Sequence, residues 1–109
     1  MAELLGTFEQ AVLLAILRLG DEAYGRGILH QVQESLEREV SAGAVYTTLD
    51  RLENRGLLRS KLAAGTAVRG GRARRYYSVA ASGVHALNEA HKTITTMWRG
   101  MQWPAKTTR

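Results

Sequence analysis

After Gly56 the apolar residues stop recurring every three or four positions and begin to alternate, and that switch divides the chain. Upstream of it, three segments keep the helical period. In the first, about Thr7 to Leu19, Phe8, Val12, Ala15, Ile16 and Leu19 share one face, and Leu13, Leu14 and Leu17 extend apolar surface almost around it. Thr7 is the expected cap, with Gln10 three residues on, and Gly20 the expected stop. The second runs from about Ala23 to Glu37, with Tyr24, Ile28, Val32 and Leu36 in one stripe and Leu29 widening it. Gly25 and Gly27 cost its first turn about 1 kcal/mol each relative to Ala, which suggests another backbone passing close. In the third, about Ala42 to Asn54, Ser41 is a strong cap, Gly56 ends the helix, and Val45, Leu49 and Leu52 face inward.

Beyond the switch, Leu58, Ser60 and Leu62 alternate with Arg59 and Lys61, as in a strand. Tyr76 to Val79 is the matching second strand. Gly65, Gly70 and Gly71 lie between them, in a long basic turn from Ala63 to Arg75. The helical period returns from about Ser82 to Met101 and ends before Pro104, the lone proline of the 109 residues. The expected fold is therefore mainly α with a small β-hairpin, in the order of a winged helix-turn-helix with one helix appended. Residues 1–80 would form the winged module and 81–109 the last helix and tail, as one compact unit.

Net charge is +5, unevenly spread. Residues 1–40 hold three arginines against seven carboxylates, whereas residues 41–80 hold eight basic side chains against Asp50 and Glu53. A basic middle beside an acidic start is a localised positive field of the kind that meets a polyanion. In a winged helix-turn-helix the third helix enters the major groove and the hairpin lies on the neighbouring backbone or minor groove. The third helix offers Ala44, Thr47, Thr48, Arg51 and Arg55 opposite its core face, flanked by Tyr46: hydroxyl groups, an aromatic ring and arginines that can reach base edges and phosphates. Arg69, Arg72, Arg74 and Arg75 stand on the hairpin with Gly70 and Gly71, where glycine permits close approach and arginine can fork onto phosphate.

Several blocks together resemble the PadR-like transcriptional regulators. They are Glu9 with Val12-Leu13-Leu14; Ala23-Tyr24-Gly25 with Ile28; Val45-Tyr46-Thr47-Thr48-Leu49 with Arg51-Leu52-Glu53 and Gly56-Leu57; and Gly71-Arg72 with Tyr76-Tyr77 and Gly83. The resemblance covers about residues 6–83, and the single last helix is similar to the short branch of that family. It implies a cytoplasmic, homodimeric repressor on a palindromic operator in double-stranded DNA, often released by a small-molecule effector or a stress signal. Two positions depart from the pattern. Val79-Ala80 stands where Leu-Thr is common, so Ser82 is expected to cap the last helix. Ala44-Val45-Tyr46 replaces Thr-Leu-Tyr, so the operator sequence is not inherited from relatives.

The DNA contacts expected on this basis are Tyr46, Thr47, Thr48, Arg51, Arg72 and Arg74. Tyr46 has a second reading, packing against the hairpin. Arg51 and Glu53 also have one, as intra-protein ion pairs. Arg51 and Arg55 are a like-charged pair one helical turn apart, mildly unfavourable unless phosphate lies between them. Tyr76 and Tyr77 point to opposite strand faces, so at most one is core. The first and last helices carry more apolar surface than one small core uses, so Phe8, Val12, Ile94, Met97, Trp98 and Met101 are expected to meet a second copy. A ligand pocket is not legible.

Other classes fit poorly. There is no cysteine, which removes disulfides, thiolate zinc sites and cysteine nucleophiles. His30, His85 and His91 lack the spacing of a metal pair on one helix, and Gly70-Gly71-Arg72 lacks the Lys-Ser/Thr of a phosphate loop. No cofactor, metal or catalytic set is expected. The longest apolar run, Ala11 to Leu17, is far short of a membrane span, and Met1 to Leu5 has no basic residue of a signal peptide. The remaining rival is a winged-helix module for RNA or protein, against which the polar face of the third helix argues.

Overall fold

The computed structural model describes residues 4–63 and 74–108. Helix α1 spans Thr7–Leu19 and is followed by a 3-10 turn over Gly20–Glu22; α2 spans Gly25–Leu36 and α3 spans Ala42–Asn54. Strands β1 (Leu58–Ala63) and β2 (Arg74–Val79) form an antiparallel hairpin with Leu58 opposite Val79 and Ala63 opposite Arg74, and α4 covers Ala81–Trp98. The mainly helical winged architecture expected from the order of periods is the one observed.

The core lies where the first three helices meet the hairpin. Leu13 of α1, Ile28 and Val32 of α2, Val45, Leu49 and Leu52 of α3 and Leu58 of β1 are all fully buried. Removing any one of these larger side chains leaves a cavity costing about 2–5 kcal/mol. The hairpin is tied to the helices at its outer edge: the Tyr77 N–H donates to the Ala23 carbonyl at 2.8 Å, and Tyr24 pairs with Tyr76 like a third strand. Tyr77 is the buried member of the tyrosine pair, and burial pushes its phenol above the usual tyrosine pKa, with Arg75 partly opposing.

Several local expectations are corrected. Gly6, not Thr7, caps α1: its N–H donates to Glu9 Oε1 at 2.9 Å, while Gln10 reaches back to the Leu5 carbonyl. Helix α2 starts at Gly25, because Ala23 and Tyr24 are drawn out along β2. At Gly25 the nearest neighbour is the Tyr46 ring, so that an added Cβ would sit 2.7 Å from Tyr46 Cε1, whereas at Gly27 it is backbone, the Glu22 carbonyl oxygen at an ordinary 3.4 Å. The close backbone approach is at Gly83, against the Leu57 carbonyl. Ser82 does not cap α4; the Ala80 backbone does so without a side-chain bond, and Ser82 Oγ donates to the Gly56 carbonyl at 2.6 Å. Helix α4 stops at Trp98, ahead of Gly100 with φ +80°, so Met101 lies beyond it.

Candidate nucleic-acid interface

The Ala44 N–H donates to Ser41 Oγ at 3.0 Å, fixing the start of α3 as its capping serine predicts. From there α3 presents Ala44, Tyr46, Thr47, Asp50 and Arg51 to the outside. Thr48 differs from expectation, being only 3% exposed. It lies three residues after Val45 and four before Leu52, and so belongs to the inward stripe that 45, 49 and 52 define. Thr47 and Arg51 remain on an open groove of about 500 Å³ with Phe8, Gly43 and Ala44. Phe8, expected at a dimer interface, is half-buried and borders this groove.

Tyr46 is 45% exposed, with its ring across the first residue of α2. Its internal packing is against α2 and not the hairpin as expected, and much of the side chain stays open to solvent. Between Arg51 and Arg55, where a phosphate is expected to relieve the like charges, lies a carboxylate of the protein itself. Glu9 Oε2 accepts from Arg55 Nη1 at 3.3 Å and lies 3.9 Å from Arg51 Nε. Glu9 sits 46 residues before Arg55, and no local signal in the sequence brings them together.

The hairpin stands beside this face. The Arg74 guanidinium lies 4.1 Å from the centre of the Tyr24 ring, which meets Tyr76 edge-on at 5.9 Å. Arg75 Nη1 donates to Ser60 Oγ at 2.9 Å, and Ser60 Oγ donates to Glu53 Oε2 at 2.7 Å. A side-chain chain therefore runs from β2 through β1 to α3. Glu53 does join an arginine, though through a serine and not Arg51. Between the first turn of α2 and the hairpin is a groove of about 460 Å³ bordered by Arg26, Tyr46, Arg74 and Arg75. Arg26 carries no signal of its own in the sequence, where it is an isolated basic residue in an acidic third. Gly65, Arg69, Gly70, Gly71 and Arg72 lie outside the described residues.

The residues expected at a dimer interface divide into two groups. Val12 is 0% exposed within the single chain, so it belongs to the core and cannot meet a second copy. Ile94, Met97, Trp98 and Met101 are exposed, Met97 at 65%, and Trp98 meets the more open Trp103 edge-on at 5.6 Å. Among the described residues no helix is long and apolar enough to cross a membrane. No three of their His, Asp or Glu side chains gather as a metal site would need.

The fold recurs among known structures. The chain is 28% identical to a PadR family transcriptional regulator from Eggerthella lenta, covering 82% of this chain and 75% of that one at a TM-score of 0.64. It is 25% identical to a PadR family transcription regulator from Clostridium difficile, covering 86% and 88% at a TM-score of 0.61. The fold is also that of a PadR-like transcriptional regulator from Bacillus cereus, at 23% identity, 86% coverage of each chain and a TM-score of 0.69. No curated protein matches it. The sequence profile described as the transcriptional regulator PadR-like family matches residues 13–89, which include α2, α3 and both strands. The chain belongs to the PadR-like family of transcriptional regulators.

Proposed function

We propose that this protein is a homodimeric repressor that binds a palindromic DNA operator, with residues 1–80 of each copy reading one half-site and residues 81–109 joining the copies. The observation that carries this is the shared surface of α3 and the hairpin. Tyr46 of α3 borders one groove with Arg74 and Arg75, and Thr47 and Arg51 line a second groove along the same helix, so one duplex lying along α3 could meet base-reading and phosphate-gripping groups together. The outer half of α4 supports the pairing of two copies, because Ile94, Met97 and Trp98 expose apolar surface along its last two turns. A symmetric pairing through such a face places two reading surfaces on one side of the duplex, which is what a palindrome requires. Release by a small effector follows from the family resemblance and belongs to the same proposal.

The test is a gel shift with the duplex upstream of the protein's own gene, competed with unrelated duplex and with RNA. Preference for the upstream duplex is the expected result, and equal competition by RNA would overturn it. In the same assay, replacing Arg72 and Arg74 with Ala weakens binding to every duplex and flattens the salt dependence by about one unit per lost contact. An unchanged salt slope would remove the hairpin from the interface.

A further inference from the structure

Arg51 and Arg55 share one carboxylate but not equally. Arg55 is hydrogen-bonded to Glu9 Oε2 at 3.3 Å, with a side chain about one-third exposed. Arg51 stands at 3.9 Å, too far for a hydrogen bond, with its side chain more than half exposed. The carboxylate itself is largely covered and held from behind, because its other oxygen accepts the Gly6 N–H that caps α1. The acceptor is therefore fixed, one arginine is docked on it, and the other is loosely held and faces outward from the reading helix.

We propose that Glu9 acts as an intramolecular counter-ion that competes with DNA phosphate for Arg51, and so attenuates DNA affinity, while Arg55 stays docked as its permanent partner. This rests on the DNA-binding reading above. A phosphate approaching α3 meets two arginines whose charge is already partly neutralised by a carboxylate beside them. Taking Arg51 over means separating it from Glu9, and the remaining negative charge repels the phosphate. The Arg51–Glu9 contact contributes little to stability, because Arg51 is more than half exposed and 3.9 Å away. Its effect falls on binding, where charge is counted directly against condensed counterions.

Glu9→Gln tests this cleanly, since the amide oxygen can still accept the Gly6 N–H while the charge is gone. Binding of the full chain to the upstream duplex and to an unrelated duplex is measured by fluorescence anisotropy from low to moderate salt. The expected result is roughly two- to fivefold tighter binding to both duplexes at low salt, the range of one exposed ion pair. The salt slope becomes steeper by about 0.9 for each charge uncovered. Glu9→Asp, which keeps the charge, restores the wild-type slope. Unchanged or weaker binding by Glu9→Gln, or the same changes in Glu9→Asp, would overturn the proposal.

A measurement on the wild-type protein needs no variant to fold. The Arg51 Nε–H resonance is expected to shift on adding duplex while that of Arg55 stays in place. Movement of both, or of neither, would reject the division of labour. Should wild type show no preference for the upstream duplex yet Glu9→Gln still tighten binding, operator reading fails and the counter-ion role stands. A specific wild type with an indifferent Glu9→Gln rejects the counter-ion role and leaves operator reading intact.

Discussion

Gly83 and Gly25 both stand where a methyl group would meet an occupied position, and they differ in what occupies it. At Gly83 a Cβ would strike the Leu57 carbonyl and come within 2.7 Å of Val79 Cγ1. The carbonyl is held by the Ala80 N–H at 3.0 Å and cannot step aside without opening the joint between hairpin and α4. At Gly25 the obstacle is the Tyr46 ring, which can swing outward, and the added alanine recovers up to about 1 kcal/mol of helix propensity. Gly83→Ala is therefore expected to cost about 3 kcal/mol, the upper range of overpacking, and Gly25→Ala less than about 1 kcal/mol. Urea denaturation of the two variants measures both, and equal losses would contradict the distinction. Sequence spacing names both glycines but not their neighbours, because the Tyr46 ring and the Leu57 carbonyl arrive from elements that only tertiary packing brings near.

Between elements, the chain from Arg75 through Ser60 to Glu53 sets the angle of the hairpin against α3. Ser60→Ala removes the middle member and leaves an arginine and a glutamate without their shared bridge. The expected loss is about 1–2 kcal/mol, since one bridged partner is charged at each end. Faster amide exchange along β1 and β2, with α1 and α2 unchanged, is the observation that checks it. This scale also shows which element bounds the sequence carries. Helices α1 and α3 run over the expected residues because their period and stops are local: Ser41 caps α3 and Gly20 closes α1. The start of α2 is illegible in the sequence because Ala23 and Tyr24 answer to β2. Strand β2 begins at Arg74, earlier than its apolar pattern suggests, because Arg74 and Arg75 pair with Ala63 and Leu62 while their charged ends stay exposed.

For the whole molecule the shape is informative. The radius of gyration is 16.6 Å, against about 13 Å for a compact chain of this length, and the longest extent is 63 Å. A chain this drawn out, with Leu14 and Leu17 half-open on α1 and Met97 and Trp98 open on α4, has apolar surface left after its own core is complete. Replacing Met97 with Glu is expected to convert the dimer to monomer in sedimentation at micromolar concentration while leaving the helical circular dichroism intact. A wild-type protein already monomeric there would remove the dimer from the proposal. The apolar excess is legible in the sequence, but its division is not. Val12 and Phe8 share one apolar face of α1, and only tertiary packing decides that Val12 is fully enclosed while Phe8 is half-buried.

The root of α4 has a mechanical consequence. Ser82 Oγ holds the Gly56 carbonyl, the Ala80 N–H holds the Leu57 carbonyl, and Gly83 lies against that same peptide. Gly56 and Leu57 are the residues by which the chain leaves α3. Helix α4, 18 residues and about 27 Å long, is thus a lever whose fulcrum is the tail end of the reading helix. A tilt of about 10° at that fulcrum sweeps the far tip through roughly 5 Å. Run in reverse, a few ångströms of displacement at Met97 and Trp98 are expected to reach the end of α3 as a small rotation, resisted where Leu87 and Ala90 of α4 are buried.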